Sequence, residues 1–302
     1  MWIFFTLATT LIWGAAELFY KKGSHDNEKY SHLKVCVMVG LVMGLHAVFT
    51  LCTQNVGFKL THIIDYLPVS LCYIVSMALS FFGIRFLEES ISDPIENTAG
   101  AMCSLMCMLF LRQRISGLAW VAIGIIVVGI LGVGFLEKKD THRANKYGKK
   151  LAVIAFMMPF GYAIIDAFGS FLDVYYLDTE ITPLRFVTEE NIEMVANTAY
   201  ELTFALVALV LFIFMKIKKV KFEITKQKDK ALAAVCETAG QLTYVYAMSG
   251  NGAIAAPIIS SVCVVSLLLS RIFLKEKLTS KQYLFISIII VGILMLAVVE
   301  GE

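Results

Sequence analysis

The sequence predicts an all-α polytopic membrane protein, with ten transmembrane helices arranged as two inverted five-helix repeats. Three observations carry this expectation. First, the 302 residues are 58% apolar and only 17% charged, where soluble domains carry roughly 25% charged residues, and the mean hydropathy is +0.75. Second, the charges sit in short runs between apolar blocks long enough to cross a bilayer. Third, the two halves of the chain repeat one another.

Apolar windows of about 20 residues place spans near 1–20, 33–53, 62–86, 91–111 and 115–136. The run EKKDTHRANKYGKK interrupts them, and spans near 150–177, 191–215, 230–248, 252–272 and 280–299 follow. The units are therefore a first repeat at 1–137, a cytoplasmic linker at 138–149 and a second repeat at 150–302. The apolar N-terminus has no basic region before it, which argues against a cleaved signal.

An ungapped offset of 163 residues lays PIENTAGAMCSLMCMLFLRQRISGLAWVAIGIIVVGILGVGFLE (94–137) over PIISSVCVVSLLLSRIFLKEKLTSKQYLFISIIIVGILMLAVVE (257–300). Pro94 falls on Pro257, Arg112 and Arg114 on Lys275 and Lys277, VGIL 128–131 on VGIL 291–294, and Glu137 on Glu300. Shared apolar composition would not align the proline, the basic pair and the glutamate together. A second offset sets Trp13-Gly14 on Phe160-Gly161 and so span 1 over span 6. Five spans per repeat is an odd number, so the halves enter the membrane in opposite directions, as in alternating-access transporters.

Basic residues predict the orientation. Of the 26 Lys and Arg, 22 lie in the connections 1–2, 3–4, 5–6, 7–8 and 9–10. By the positive-inside rule those loops are cytoplasmic and both termini lie outside. The lysine-rich run KIKKVKFEITKQKDK (216–230) reads as a loop touching anionic headgroups.

Several classes are disfavoured. A net charge of +2 and the lack of a basic-aromatic motif argue against nucleic acid. There is no glycine-rich phosphate loop, metal-spaced Cys/His set or nucleophile elbow, so no cofactor, metal or enzymatic chemistry is implied. All seven cysteines lie in or beside apolar blocks and read as packing residues.

The stretches FLKEKLTSKQYLFISIIIVGIL (273–294) and FLRQRISGLAWVAIGIIVVGIL (110–131) are similar to the signature that closes each repeat of EamA-type transporters, in the drug/metabolite transporter superfamily. Glu276 stands in the place of the loop acid, and Gln113 replaces that acid in the first repeat. The resemblance covers nearly the whole chain. It implies export or exchange of a small molecule through a central cavity lined by spans 1, 3, 4, 6, 8 and 9. It also implies cytoplasmic termini, the reverse of the charge-derived orientation.

Inside the spans lie Glu17, Glu96, Asp166, Glu201, Glu237 and His46, with no Lys or Arg at comparable depth. A carboxylate at a helix centre costs roughly 2.5–3.5 kcal/mol on insertion scales, so these acids should meet a wet cavity, hydrogen-bond partners or a cation. Helical spacing groups Trp13, Glu17 and Tyr20; Tyr162, Asp166, Asp173 and Tyr176, with Pro159 and Gly161 loosening the helix before them; Asn197 and Glu201; and Glu237, Gln241 and Tyr244. Acids interleaved with aromatics suit a cationic or zwitterionic amine and equally suit proton coupling. Asp166 and Glu237 are expected to carry charge recognition or the proton. Gln241 is expected to supply an oriented amide, and Trp13, Tyr162 and Tyr244 the walls.

Other readings stand beside these. Glu17 can snorkel to the interface near Lys21 and Lys22, and Glu96 can serve a helix dipole. Asp173 and Glu193 are placed at the outer interface, and His46 is read as a satisfied packing histidine. Spans 5 and 10, almost purely apolar, read as scaffold or dimer surface, with Gly124, Gly129, Gly132 and Gly134 allowing close packing. The expectation is a multi-pass plasma (inner) membrane secondary transporter, monomer or weak homodimer, whose partners are a small-molecule substrate, the lipid bilayer and protons. The alternatives are an exporter of neutral or anionic metabolites in which the acids only couple protons, and a non-transport membrane protein.

Overall fold

The computed structural model describes residues 1–23, 30–83, 95–136, 149–273, 275 and 278–300. Pro94, Glu137, the linker at 138–148, Glu276 and Lys277 lie outside the described residues. Among the described residues all regular structure is helical. We number the helices α1 (Trp2–Gly23), α2 (Ser31–Thr53), α3 (Thr61–Asp65), α4 (Leu67–Gly83), α5 (Ala99–Phe110), α6 (Gly117–Leu136), α7 (Lys149–Tyr176), α8 (Ile192–Ile217), α9 (Lys228–Ile259), α10 (Val262–Phe273) and α11 (Ser280–Glu300). Apolar side chains all round favour helices that bury their backbone groups internally, which lipid requires. Among the described residues four helices are long and apolar enough to span a membrane: α1, α2, α8 and α11. The pair α9–α10, bent by 53°, is a fifth when taken as one span, and α4, α5 and α6 contain shorter apolar helices.

Packing partners follow from small residues. Helix α1 runs antiparallel to the first part of α9: Trp13 lies on Gly240, Thr9 Oγ1 is 2.8 Å from Thr243 Oγ1, Phe5 stacks on Tyr246 and Trp2 covers Gly250. The backbone leaves helical geometry at Asn251 (φ −160°, ψ 71°). Beyond it the chain runs the other way, since Gly14 meets Val265 and Ser266. The GNG sequence at 250–252 supplies that reversal, between the two apolar windows read from the sequence.

Helix α7 packs antiparallel on α4, with Gly169 against Cys72 and Tyr73 and Gly161 against Leu79. It stays helical through Pro159, so the loosening expected there is not seen. Helix α2 packs on α8 through Gly40 against Phe204 and Ala208 and Gly44 against Ala205. Helix α6 packs on α11: Gly129 faces Ile289, Gly132 faces Phe285 and Gly292 faces Ile126, while Gly124 meets nothing within 4 Å. The α6–α11 seam is apolar, built on Ile123, Ile126, Ile130, Ile286 and Ile289.

Two helices break at matching places. Ile95 and Glu96 are helical, Asn97 and Thr98 form a turn, and α5 begins at Ala99. In the second half α9 ends at Ile259, Ser260 and Ser261 form a turn, and α10 begins at Val262. At the 163-residue offset Asn97–Thr98 falls on Ser260–Ser261, α5 falls on α10 end to end, and the starts of α6 and α11 coincide. The turns also share their chemistry. Thr98 donates N–H (3.1 Å) and Oγ1–H (2.7 Å) to the Ile95 carbonyl. Ser261 donates N–H (2.9 Å) and Oγ–H (2.5 Å) to the Ile258 carbonyl. In each turn the hydroxyl and the amide of one residue share a carbonyl three residues back.

The ends of the bundle away from the basic connections are latched by loops. Arg185 makes two hydrogen bonds to Asp65, at 2.8 and 3.2 Å, and that carboxylate holds the guanidinium above its usual range. His62 Nε2–H donates to the Arg185 carbonyl at 2.7 Å while its Nδ1 accepts from Lys59 N–H at 3.0 Å.

Candidate functional site

A cavity of about 260 Å³ lies among α1, α4, α5, α7, α8, α9 and α10, in the half of the bundle nearer the basic connections. Its size is at the small end of ligand pockets, which run roughly 300–1,000 Å³. Four carboxylates line it: Glu17 from α1, Glu96 from just before α5, Asp166 from α7 and Glu237 from α9. Aromatic rings fill much of the remaining wall, from Trp13, Tyr20, Tyr73, Tyr162, Tyr200 and Tyr244. Both helix breaks contribute, through Asn97 and Ser260. Among the described residues no Lys, Arg or His lines it.

Hydroxyl donors reach three of these acids. Tyr20 Oη–H reaches Glu237 Oε2 at 3.3 Å, Ser76 Oγ–H reaches Asp166 Oδ1 at 3.2 Å, and Ser80 Oγ–H reaches Glu96 Oε2 at 2.9 Å. Those donors leave further lone pairs on each carboxylate for a ligand. Glu17 shares electrostatic contact with Glu237 across α1 and α9. Trp13 is pinned by Nε1–H donation to the Glu237 carbonyl at 3.3 Å, and its ring lies 5.0 Å from that of Tyr244. The Trp13 indole leaves no room for a side chain at position 240, where a Cβ would come within 2.3 Å of the ring.

Below the cavity the bundle is closed. Asp173, fully buried on α7, accepts from Tyr66 Oη–H on one oxygen and from Tyr73 Oη–H at 2.8 Å on the other. Tyr73 has one proton and spends it on Asp173, so Tyr244 Oη–H is the donor in the 2.6 Å contact between the two phenols. Ser170 lies 3.1 Å from Tyr244 and 3.2 Å from Tyr73. Asp173, expected at the outer interface, lies near the end of α7 and anchors a buried tyrosine cage, with Tyr66 and Tyr73 reaching it from a part of the chain that apolar windows do not connect to it.

The sequence stripes divide between two places. Trp13, Glu17, Tyr162, Asp166, Glu237, Gln241 and Tyr244 all line the cavity. Asn197 and Glu201 do not. They sit in the α2–α8 seam, where Glu201, fully buried, lies 2.8 Å from His46 Nδ1 and accepts from Asn197 Nδ2–H at 3.0 Å. Gln241 is only 2% exposed and its Nε2 has no hydrogen-bond partner. Sequence reasoning missed Tyr73, Ser76 and Ser80, although Tyr66, Tyr73, Ser76 and Ser80 share helical spacing on one face of the third span. That stripe holds hydroxyls and no acid, so nothing marked it as a site.

The family follows at this point. A model of the EamA-like transporter family matches residues 1–135 and 181–298, and the chain belongs to that family, a branch of the drug/metabolite transporter superfamily. It is thus an integral membrane transporter. No curated protein matches it. Among solved structures it is similar to one described only as "Crystal structure of protein", at a TM-score of 0.74 and 10% identity over 98% of this chain and 96% of that one. That likeness speaks for the fold alone.

Proposed function

We propose that the protein is a secondary transporter of a small amine-bearing metabolite, working by alternating access and drawing on protons. The observation that carries this reading is the cavity wall: four carboxylates from four helical segments, six aromatic rings and, among the described residues, no basic side chain. Acids gathered in one hollow need a cation or protons to balance them, and ring faces add attraction for an ammonium group. An anion entering the same space would meet four carboxylates.

The architecture in this reading is ten spans in two inverted five-helix repeats, 1–137 and 150–302. The matched breaks support it, as does the packing pattern. Exchanging span n with span n+5 turns the α1–α9 contact into α7–α4, and the α1–α10 contact into α7–α5, all of which are present; the α2–α8 and α6–α11 seams map onto themselves. Such repeats enclose a site at their interface, and Glu17 and Glu96 come from one half while Asp166 and Glu237 come from the other. With the basic connections cytoplasmic and both termini outside, the cavity faces the cytoplasm and the Asp173 cage closes the outer side. The apolar α6–α11 pair is scaffold.

Ligand-induced stabilisation of the purified protein across amines, amino acids, sugars and nucleosides tests the reading. Amines should raise the melting temperature saturably, and Asp166→Asn or Glu237→Gln should remove the effect. Stabilisation only by sugars or anions, unaffected by either substitution, overturns it. Labelling the termini with an impermeant reagent on intact cells decides the orientation.

A further inference from the structure

A second hollow, of about 330 Å³, lies at the end of the bundle away from the basic connections. Its wall includes Leu177 and Asp178 just past α7, Ile192 and Glu193 at the start of α8, and Met248 and Gly252 around the GNG reversal. Two helices lead to it from the acidic cavity. Along α7, Asp166 and Ser170 line the cavity, Asp173 anchors the tyrosine cage, and Leu177 lines the outer hollow. Along α9, Glu237 and Tyr244 line the cavity and Met248 lines the hollow. Steps of three, four and seven residues keep each set on one helix face. Ser170 meets Tyr244 at 3.1 Å and Val174 packs on Gly252, so the two faces run side by side from one space to the other.

Two layers separate the spaces. Nearer the cavity is the cage, where Tyr66 and Tyr73 donate to Asp173 and Tyr244 donates to Tyr73. Beyond it Val174 and Met248 close on Gly252, at which a Cβ would come within 2.3 Å of Val174 Cγ2 and 3.1 Å of Met248 Cε. Each of those cage bonds joins the two halves of the chain, since Tyr66 and Tyr73 precede the linker and Asp173 and Tyr244 follow it. The same is true of the strap above the cage, where Asp65, next to Tyr66 in sequence, holds Arg185. Bonds within one half travel with it when the halves rock. Bonds between halves at this end must break before the end can part.

We infer that the outer hollow is the second mouth of the transport path, and that the Asp173 cage is the gate between it and the cavity. Substrate passes along the α7–α9 groove when Tyr66 and Tyr73 withdraw with the first half. Asp173, released from its phenols, then offers a carboxylate to a cation on its way through. This rests on the transporter reading above and adds the route to it.

Cysteine accessibility on the full chain tests the route, using the charged, membrane-impermeant thiol reagent methanethiosulfonate-ethyltrimethylammonium and mass spectrometry to read each position. Met77→Cys reports on the cavity and Ser249→Cys on the outer hollow. Reagent is applied to intact cells and to inside-out vesicles, and the side from which Ser249→Cys reacts is the side from which the gate is read. From that side Met77→Cys should react slowly. Adding Tyr66→Phe, which removes one cage bond, should speed the reaction about five- to tenfold, the worth of one hydrogen bond. Ser249→Trp or Thr179→Trp, each filling the hollow, should then return the rate to that of the closed protein. An unchanged rate with both Tyr66→Phe and Asp173→Asn overturns the gate. A raised rate that neither filling substitution lowers overturns the route. Equal rates at Met77→Cys from the two sides, before any gate substitution, overturn both. These outcomes do not depend on which compound binds, so they are separable from the amine assignment, which ligand-induced stabilisation tests.

Discussion

Asp166 and Asp173 sit on one face of one helix, two turns apart, and meet opposite surroundings. Asp166 borders the cavity and meets the hydroxyls of Ser76 and Tyr162. Asp173 is sealed, with a tyrosine hydroxyl on each oxygen. The same side chain thus borders an open space in one place and a closed tyrosine cage in the other. A closed cage suits a carboxylate that holds helices together, and an open border suits one that meets a ligand. The difference comes from the neighbouring segment, where α4 presents Ser76 to the first and Tyr73, with Tyr66 just before the helix, encloses the second.

Removing each aspartate is the most direct way to break this contrast. Asp173→Ala strands buried tyrosine hydroxyls at about 1–3 kcal/mol each, so unfolding in detergent should become easier by about 2–4 kcal/mol. Asp166→Ala should change stability by less than about 1 kcal/mol and abolish amine binding. Equal destabilisation by the two would erase the distinction. Glu201 extends the comparison to a third acid. Glu201→Ala leaves Asn197 and His46 without their shared acceptor and should destabilise by about 1–3 kcal/mol, again read by unfolding, with amine affinity retained because the seam lies apart from the cavity.

Tyr73→Phe sharpens the picture, because that phenol joins the cage to the cavity wall. It should reduce stability by about 1–2 kcal/mol and also weaken amine binding, since Tyr244 loses the oxygen it donates to. The smallest effect is expected from Ser76→Ala. It removes one hydroxyl from Asp166, and calorimetry should find amine affinity altered by no more than a few-fold, with stability lowered by about 0.5–1.5 kcal/mol.

Much of the cavity was legible because helical spacing reports which residues share a face. Trp13 with Glu17, Tyr162 with Asp166, and Glu237 with Gln241 and Tyr244 all arrive on the same wall. Spacing does not report which helix the face will meet. Asn197 and Glu201 form an equally clear stripe, yet their face turns to His46 on α2. The partners of Asp173 were illegible for a related reason: its distance from the end of an apolar window says nothing of tyrosines a hundred residues earlier. The repeat was read from Pro94, Pro257, the basic pairs and the VGIL runs, and the helix boundaries at Ala99, Val262, Gly117 and Ser280 keep its offset. The breaks themselves fall at Thr98 and Ser261, but a hydroxyl inside an apolar run is ordinary, so nothing in the sequence marked them.

Those two turns make chain length a shared property of distant segments. One residue inserted between Thr98 and Phe110 would swing every later side chain of α5 by about 100°, carrying Ser104 off the Ala253 carbonyl that it bonds at 2.5 Å. The partner segment after Ser261 has no slack to follow, because its own phase is clamped where Gly14 fits against Val265 and Ser266. Deletions and insertions in either stretch are therefore expected to fail even where single substitutions pass.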